Sequence, residues 1–397
     1  MSKKITDKVT WVGKIDWELR SFHGDELSTH KGTSYNSYLI RDEKTVLIDT
    51  AWEPYDKEFV SNLKKEIDLK DIDYIVINHG EIDHSGSLVA LMNEIPDTPI
   101  YCTANGVKSL KGHYHKDWNF VPVKTGDTLD IGSSTLAFVE ARMLHWPDTM
   151  FTYMSGDNIL FSTDAFGQHY ASEMLFNDLV DQDELYSEAF KYYANILTPF
   201  NKLVINKIKE VVAMNLPLDY ICTSHGVIWR DNPAQIIEKY IEWANDYKED
   251  QITILYDTMW DGTRRMSEAI AKGLIEGDKD VRVKQFNLSK SDKNDVLSEA
   301  FKSKAILVGS PTVNKGITYA TAGILEMLKG LGMKNKKAGA FGTYGWSGES
   351  VKIIEDWLHE AGFEIPLESV KAMWNPDEAA IEAAENFGKL FAAECLD

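Results

Sequence analysis

Short apolar runs broken by polar turns fill the first part of the chain. In SYNSYLIRDEKTVLIDT two such runs flank Arg41-Asp42-Glu43-Lys44, which predicts two strands around a polar turn. DIDYIVINHG reads as a buried strand entering a glycine turn, and SGSLVALMNEI restarts as a helix. TLDIGSSTLAFVEA and MFTYMSGDNILFSTDA read as hairpins, the second with Ser155-Gly156-Asp157-Asn158 at its tip. The spacing is helical from Glu184 to Ala213. PLDYICTSHG then makes another strand, ending in a loop at His225, and IIEKYIEWANDYKED is a polar-faced helix.

Near residue 250 the grammar changes. QITILYDTMWDGT is a strand and a polar loop, and RRMSEAIAKGLIEG is a helix. The alternation continues through the strands VRVKQFNL, KAILVGSPT and KKAGAFGTYGW. Between and after them lie the helices NDVLSEAFKS, ITYATAGILEMLKGL and SGESVKIIEDWLHEAG. Strands alternating with helices of roughly 10–15 residues predict a parallel, doubly wound sheet. The reading is therefore two domains, 1–250 and 251–397, an α+β domain followed by an α/β one, with no internal repeat and no low-complexity tract.

Composition narrows what such a chain can do. It has 397 residues, 44% apolar and 26% charged, so it can bury a large core without disulfides. Three distant cysteines, Cys102, Cys222 and Cys395, make neither a disulfide framework nor a zinc ribbon nor a rubredoxin-type iron knuckle, which implies a reduced, intracellular setting. Forty-two basic against 62 acidic residues give a net charge of −20, which argues against a nucleic-acid partner. No apolar run is long enough to span a membrane. MSKKITDKVTWVGKIDW lacks the apolar segment of a secretory signal, and AAECLD fits no lipidation pattern, so a cytoplasmic protein is expected.

The chemistry of the first domain concentrates in His79-Gly80-Glu81-Ile82-Asp83-His84. Four good metal ligands within six residues follow a buried strand directly, in a chain with only ten histidines. His145, Asp164 and His225 occupy comparable strand-end positions. Each alone reads as readily as a structural residue; together they supply four His, two Asp and one Glu to one sheet edge. Seven ligands exceed the need of one tetrahedral ion and point to two ions sharing a carboxylate. Glu81 makes the set harder and more anionic than an imidazole-rich zinc pair, which suits iron or manganese. Three carboxylates and a bridging hydroxide carry −4 and would balance two ferrous ions; an oxo bridge is the other option expected.

In the second domain Thr258, Met259, Trp260, Asp261, Gly262 and Thr263 join the first strand to a helix. Hydroxyls and backbone N–H groups there suit a phosphate. Neither a GxGxxG fingerprint nor a Walker lysine is present. Ser310-Pro311-Thr312-Val313-Asn314 and Thr343-Tyr344-Gly345-Trp346-Ser347-Gly348 follow two later strands, where parallel sheets bind ligands. Trp260, Tyr344 and Trp346 could stack on a flavin ring or serve as core residues. Three loops in this order favour FMN.

These stretches resemble the flavodiiron proteins, also called A-type flavoproteins. The likeness runs end to end through KVTWVGKIDWELRSFHG, GTSYNSYLI, DYIVINHGEIDH, VKTGDTLDIG, MLHWPDTM, DAFGQHY, YYANILTPF, TSHGVIWRDNP and FGTYGWSG. The resemblance implies a metallo-β-lactamase-like αβ/βα sandwich with a di-iron site, followed by a flavodoxin-like FMN domain. By position it places His79, Glu81 and His145 on one iron, Asp83, His84 and His225 on the other, and Asp164 between them. It implies reduction of dioxygen to water, of nitric oxide to nitrous oxide, or of both. It also implies a head-to-tail homodimer, with a dimer of dimers as a further option.

The sequence stops at Asp397 without a rubredoxin module, so the expected donor is a separate rubredoxin-type protein or a reduced deazaflavin. Lys334, Lys336 and Lys337 are read as a solvated helix end, with a docking patch for the donor as the alternative. His23, His169, Trp146 and Tyr193 are expected to line the metal pocket. The competing reading is a metal-dependent hydrolase fused to a flavodoxin domain, which calls for His where Glu81 stands.

Overall fold

A computed structural model describes residues 2–395. The last two residues of AAECLD, on which the lipidation reading turns, lie outside the described residues. The chain forms two units, residues 1–193 with 200–244, and residues 194–199 with 245–397. The helix expected from Glu184 to Ala213 is split into Gln182–Tyr192 and Asn201–Ala213 by an irregular turn containing Pro199. Proline supplies no N–H to a helix interior, so the break falls there. The 194–199 segment groups with the second unit, where the Asn195 amide donates to Asn294 O and Ser298 Oγ, both at 3.2 Å.

The first unit holds a seven-stranded and a five-stranded sheet. Tyr38–Arg41 and Thr45–Ile48 pair antiparallel around the expected turn, with Tyr38 opposite Ile48. Thr45–Ile48, Tyr74–Val76, Ile100–Thr103 and Phe120–Val123 then run parallel. The other sheet is antiparallel from Thr128–Asp130 to Ile159–Thr163 and ends with Tyr220–Thr223, parallel to its neighbour. Tyr38, Ile40, Val46, Ile48 and Val76 fill a core with Phe138, Met150, Met154, Phe161 and Cys222 of the facing sheet. Leu39, Leu47, Ile75 and Ile77 instead join Phe59, Leu63, Leu91 and Leu110 of three helices. Burial on both faces is why these strands read as unbroken apolar runs. Asn36 ties the layers: it accepts from Trp11 Nε1 at 2.8 Å and donates to the carbonyls of Thr223 and Gly226 at 2.8 and 3.0 Å.

The second unit is a five-stranded parallel sheet in the order Arg282–Asn287, Glu249–Tyr256, Ser303–Pro311, Lys337–Tyr344, Val370–Met373. This 2-1-3-4-5 order is the flavodoxin arrangement. Val370–Met373 and the helix Glu378–Glu394 complete it beyond the elements read from the sequence. That helix crosses Gly262–Gly277 at glycines. A Cβ on Gly273 would stand 1.9 Å from Glu385 O, and one on Gly388 2.2 Å from Ile270 O.

No helix among the described residues is long and apolar enough to cross a membrane. All three cysteines are free thiols and buried.

Lys334 is exposed, but neither reading of the lysines, solvated helix end or docking patch, fits Lys336. Lys336 is 5% exposed, and its ammonium donates to Phe301 O at 2.8 Å and Ser303 O at 2.5 Å. Lys337 donates to the carbonyl of Glu394. Both lie at the start of the Lys337–Tyr344 strand, whereas the candidate loop through Tyr344–Gly348 leaves its end, roughly 25 Å away at strand rise. Alternation and charge could not reveal a lysine consumed by backbone carbonyls.

Candidate functional site

Each candidate metal ligand leaves the carboxyl end of a strand or the loop beyond it. Tyr74–Val76 leads to His79 and to the one-turn helix Ile82–Ser85, which carries Asp83 and His84 with Glu81 at its N-cap. His145 lies between Thr135–Glu140 and Met150–Met154, and His225 follows Tyr220–Thr223. At the end of Ile159–Thr163 the register shifts between Phe161 and Thr163, and Thr163 takes a left-handed φ of 49°. Such a bulge re-aims the next side chain, here Asp164. Asp49 supports the floor: Oδ1 accepts the Asn78 N–H at 2.8 Å and Oδ2 the Asn78 side chain at 3.1 Å.

The seven side chains converge. Asp164 Oδ2 is 3.5 Å from His79 Nε2 and 3.4 Å from His145 Nε2; Glu81 Oε2 reaches the same two nitrogens at 3.1 and 3.3 Å. Asp164 Oδ1 is 3.0 Å from His84 Nε2 and 3.5 Å from His225 Nε2; Asp83 Oδ2 reaches those two at 3.3 and 3.0 Å. One carboxylate thus faces a His-Glu-His set with one oxygen and an Asp-His-His set with the other.

Five of the seven are buried, with Glu81 and His145 partly so, and both oxygens of Asp83, both oxygens of Asp164 and both nitrogens of His84 have no hydrogen-bond partner. Leaving that many polar atoms unmatched costs kilocalories each, about 1–3 kcal/mol per group, unless a cation takes them up. Burial opposes the charged form of His79, yet Asp148, Glu81 and Asp164 outweigh it and hold the imidazole well above its ordinary value. The same contest, won by Asp164 and neighbouring carboxylates, raises His84 and His145 to about 9. Burial likewise opposes ionisation of Glu81, but His145, His23 and His79 keep it far below the carboxylate range. The donor set fits two divalent cations: acceptor-rich, anionic and dry.

The expected pocket residues divide. His23 Nε2 lies 2.8 Å from Glu81 Oε1. His169 Nδ1 is 3.0 Å from Thr33 Oγ1, its ring is 5.0 Å from that of His225, and burial pushes its pKa well down. Trp146 stands edge-on to His79 at 5.0 Å. Tyr193 stands elsewhere: its hydroxyl donates to Asn201 at 2.7 Å and its ring packs on Tyr240 and Trp243. The adjacent Tyr192 takes the pocket position, 5.1 Å from His169 and 6.3 Å from His225. It sits in the last helical turn before the irregular one, a register the sequence did not disclose. Phe22 and Asp148 were also missed.

In the second unit the three candidate loops meet. Asp261 has φ 62° and the helix starts at Gly262. Thr263 Oγ1 is 2.9 Å from Thr343 Oγ1, Thr312 N–H donates to Thr343 O at 2.8 Å, and Ser310 Oγ accepts from Thr318 N at 3.1 Å. Pro311 ends its strand, Val313 and Asn314 form the turn beyond, and Ser347 and Gly348 lead into the next helix. The buried Thr258 hydroxyl has no partner, as a phosphate seat requires. Met259, Trp260 and Trp346 are 57%, 89% and 82% exposed around this rim. A fourth loop, unread in the sequence, adds Trp374, whose N–H donates to Tyr344 O at 2.7 Å and whose ring lies 6.3 Å from Trp346. Gly345 leaves that ring room, since a Cβ there would approach it to 3.1 Å.

Known proteins with this arrangement define its class. A model of the ODP family beta lactamase matches residues 33–226, and a flavodoxin model matches 254–388. Over 396 residues the chain is 57% identical to the anaerobic nitric oxide reductase flavorubredoxin of Klebsiella pneumoniae, covering 99% of this chain and 82% of that one. The rubredoxin oxygen:oxidoreductase of Desulfovibrio gigas superposes with a TM-score of 0.96 at 37% identity, over 100% of this chain and 98% of the other. The flavodiiron protein of Giardia intestinalis does so at 0.94 and 32%, over 100% and 97%.

A β-lactamase-like metal domain joined to a flavodoxin domain defines a flavin- and metal-dependent oxidoreductase. The chain belongs to the flavodiiron protein family. Its cofactors are FMN and an iron pair.

Proposed function

We propose that this oxidoreductase reduces nitric oxide to nitrous oxide, with FMN passing on electrons from a separate rubredoxin-type donor or a reduced deazaflavin. His79, Glu81 and His145 would hold one iron, Asp83, His84 and His225 the other, and Asp164 both. The two oxygens of Asp164, each turned to a different pair of histidines, carry the reading. Kinship with a nitric oxide reductase supports the substrate.

Two nitric oxide molecules take two electrons and two protons to give nitrous oxide and water. When bound, the iron pair would supply the two electrons and FMN would replace them. The chain's part is to hold the ligands in place, keep the site dry and manage protons. Phe22, Trp146 and Tyr192 wall the cluster. His23, at 40% side-chain exposure beside Glu81, stands where a proton would enter from solvent.

Likeness to a rubredoxin oxygen:oxidoreductase favours dioxygen as a second substrate, four electrons and four protons giving two waters. The exposed tryptophan rim of the flavin loops supports a homodimer covering that rim, with a dimer of dimers as a larger option.

The test is anaerobic turnover of iron- and FMN-loaded protein with reduced rubredoxin, first with nitric oxide and then with dioxygen. Nitrous oxide at one per two nitric oxide molecules is expected. Turnover with neither gas would sink the reading.

A further inference from the structure

Behind the seven side chains, the two halves of the cluster are supported unequally. His79 Nδ1 lies 3.2 Å from Asp148 Oδ1, and both side chains are 0% exposed. The pair is a close ionic contact rather than a well-aligned hydrogen bond, and no other group among the described residues hydrogen-bonds either atom, so Asp148 is the carboxylate that faces Nδ1. Asp148 is itself fixed from both sides. Its Oδ2 accepts the Gly80 N–H at 2.7 Å, and its carbonyl accepts the Thr103 hydroxyl at 2.9 Å. Gly80 makes room for it, since a Cβ there would stand 2.8 Å from Oδ2. On the same half, Glu81 Oε1 rests 2.8 Å from His23 Nε2.

The other half has less behind it. His225 Nδ1 meets a backbone carbonyl, Ser34 O, at 2.7 Å. His84 Nδ1 and Asp83 Oδ1 meet no hydrogen-bonding group among the described residues. His84 and Asp83 also share a helix of only four residues.

We propose that Asp148 is a positioning residue for His79, and that it makes the His79–Glu81–His145 half hold its iron more tightly than the Asp83–His84–His225 half. A carboxylate on Nδ1 fixes the tautomer that leaves Nε2 free for a metal, holds the ring plane, and makes the nitrogen a stronger donor. A backbone carbonyl does the first two without adding charge. An imidazole with neither is free to turn away. The inference rests on the ligand assignment above and adds an order of occupancy to it.

The experiment follows ferrous iron leaving the full-length, iron- and FMN-loaded protein into excess ferrozine. In the unaltered protein, two phases are expected, one iron per chain in each and at least about tenfold apart in rate. His84→Ala should abolish the fast phase and His145→Ala the slow one. If neither variant alters iron release, the ligand assignment itself has failed. With that assignment standing, Asp148→Asn should accelerate the slow phase by about 10–100-fold and leave the fast phase unchanged. Asp148→Glu should restore part of the difference.

An Asp148→Asn protein that releases iron as the unaltered one does, or loses both irons faster by one factor, overturns the proposal. Should Asp148→Asn not fold, substoichiometric loading of the unaltered protein with iron-57 decides the inequality. One Mössbauer environment at one iron per chain supports it, and two equal environments overturn it.

Discussion

The hydroxyls of Thr263 and Thr343 lie 2.9 Å apart and join the loop that opens the first helix of the flavin unit to the loop leaving its fourth strand. Both are at most 8% exposed. The pair ties the segment around Thr263 to the one around Thr343. Thr263→Val leaves the Thr343 hydroxyl without its partner at a cost of about 1–3 kcal/mol, part of it borne by the loops. FMN affinity should fall by about tenfold while iron content stays the same. Fluorescence titration of the apoprotein with FMN measures this, and an unchanged dissociation constant would refute the coupling.

Among the described residues, Asp164 is the one carboxylate with an oxygen turned to each half of the cluster. Asp164→Ala should abolish binding of both irons and leave FMN at one per chain. Elemental analysis beside a flavin spectrum checks it. A purified variant that retains both irons would remove Asp164 from its assigned place.

Glycines in two helices of the flavin unit should respond in opposite directions. Gly273 has Glu385 O where a Cβ would go, whereas Gly323 has nothing within 4 Å. Gly273→Ala should destabilise the unit by roughly 3 kcal/mol or more through forced separation of two packed helices. Gly323→Ala should stabilise it by about 0.5–1 kcal/mol through helix propensity alone. Urea unfolding of each variant gives the comparison, and equal shifts would contradict the packing described.

Lys336 carries a pH dependence of known sign. Burial lowers its pKa from 10.5 to about 7, with Lys248 adding repulsion and Asp246 opposing. Between those values the unfolded lysine holds a proton that the folded one has lost, so stability rises with pH across that window. Fully expressed, the effect is on the order of 5 kcal/mol. Lys336→Met should flatten the rise between pH 7 and 10 while weakening the unit throughout, because the carbonyls of Phe301 and Ser303 lose their donor. Denaturant midpoints at four pH values suffice. A variant with the unaltered slope would show that another group is responsible.

Much of this was legible in the sequence because strand ends are punctuated. The HGEIDH hexapeptide, His145, Asp164 and His225 each follow an apolar run directly, and the sheets bring them to one edge. The three loops proposed to hold FMN stood out for the same reason, as strand ends that the sheet brings together. What escaped depends on distant neighbours. Asp148 looks like an ordinary turn residue after proline until His79 is seen beside it. Tyr192 and Tyr193 are interchangeable in a helical pattern until Pro199 fixes where the helix breaks. Trp374 follows a short strand that carries little alternation of its own. Lys336 reads as surface because charge normally is, and only the carbonyls ending a neighbouring helix show otherwise.

The ligand groups come from two different sheets: His79 and His84 follow a strand of the seven-stranded sheet, while His145, Asp164 and His225 belong to loops of the five-stranded one. An ion held by these side chains as proposed would rivet the two layers together. Iron uptake would then be linked to the stability of the first unit by mass action. A chelator that stripped the site would act on the sandwich as a denaturant does, leaving the second unit its own core.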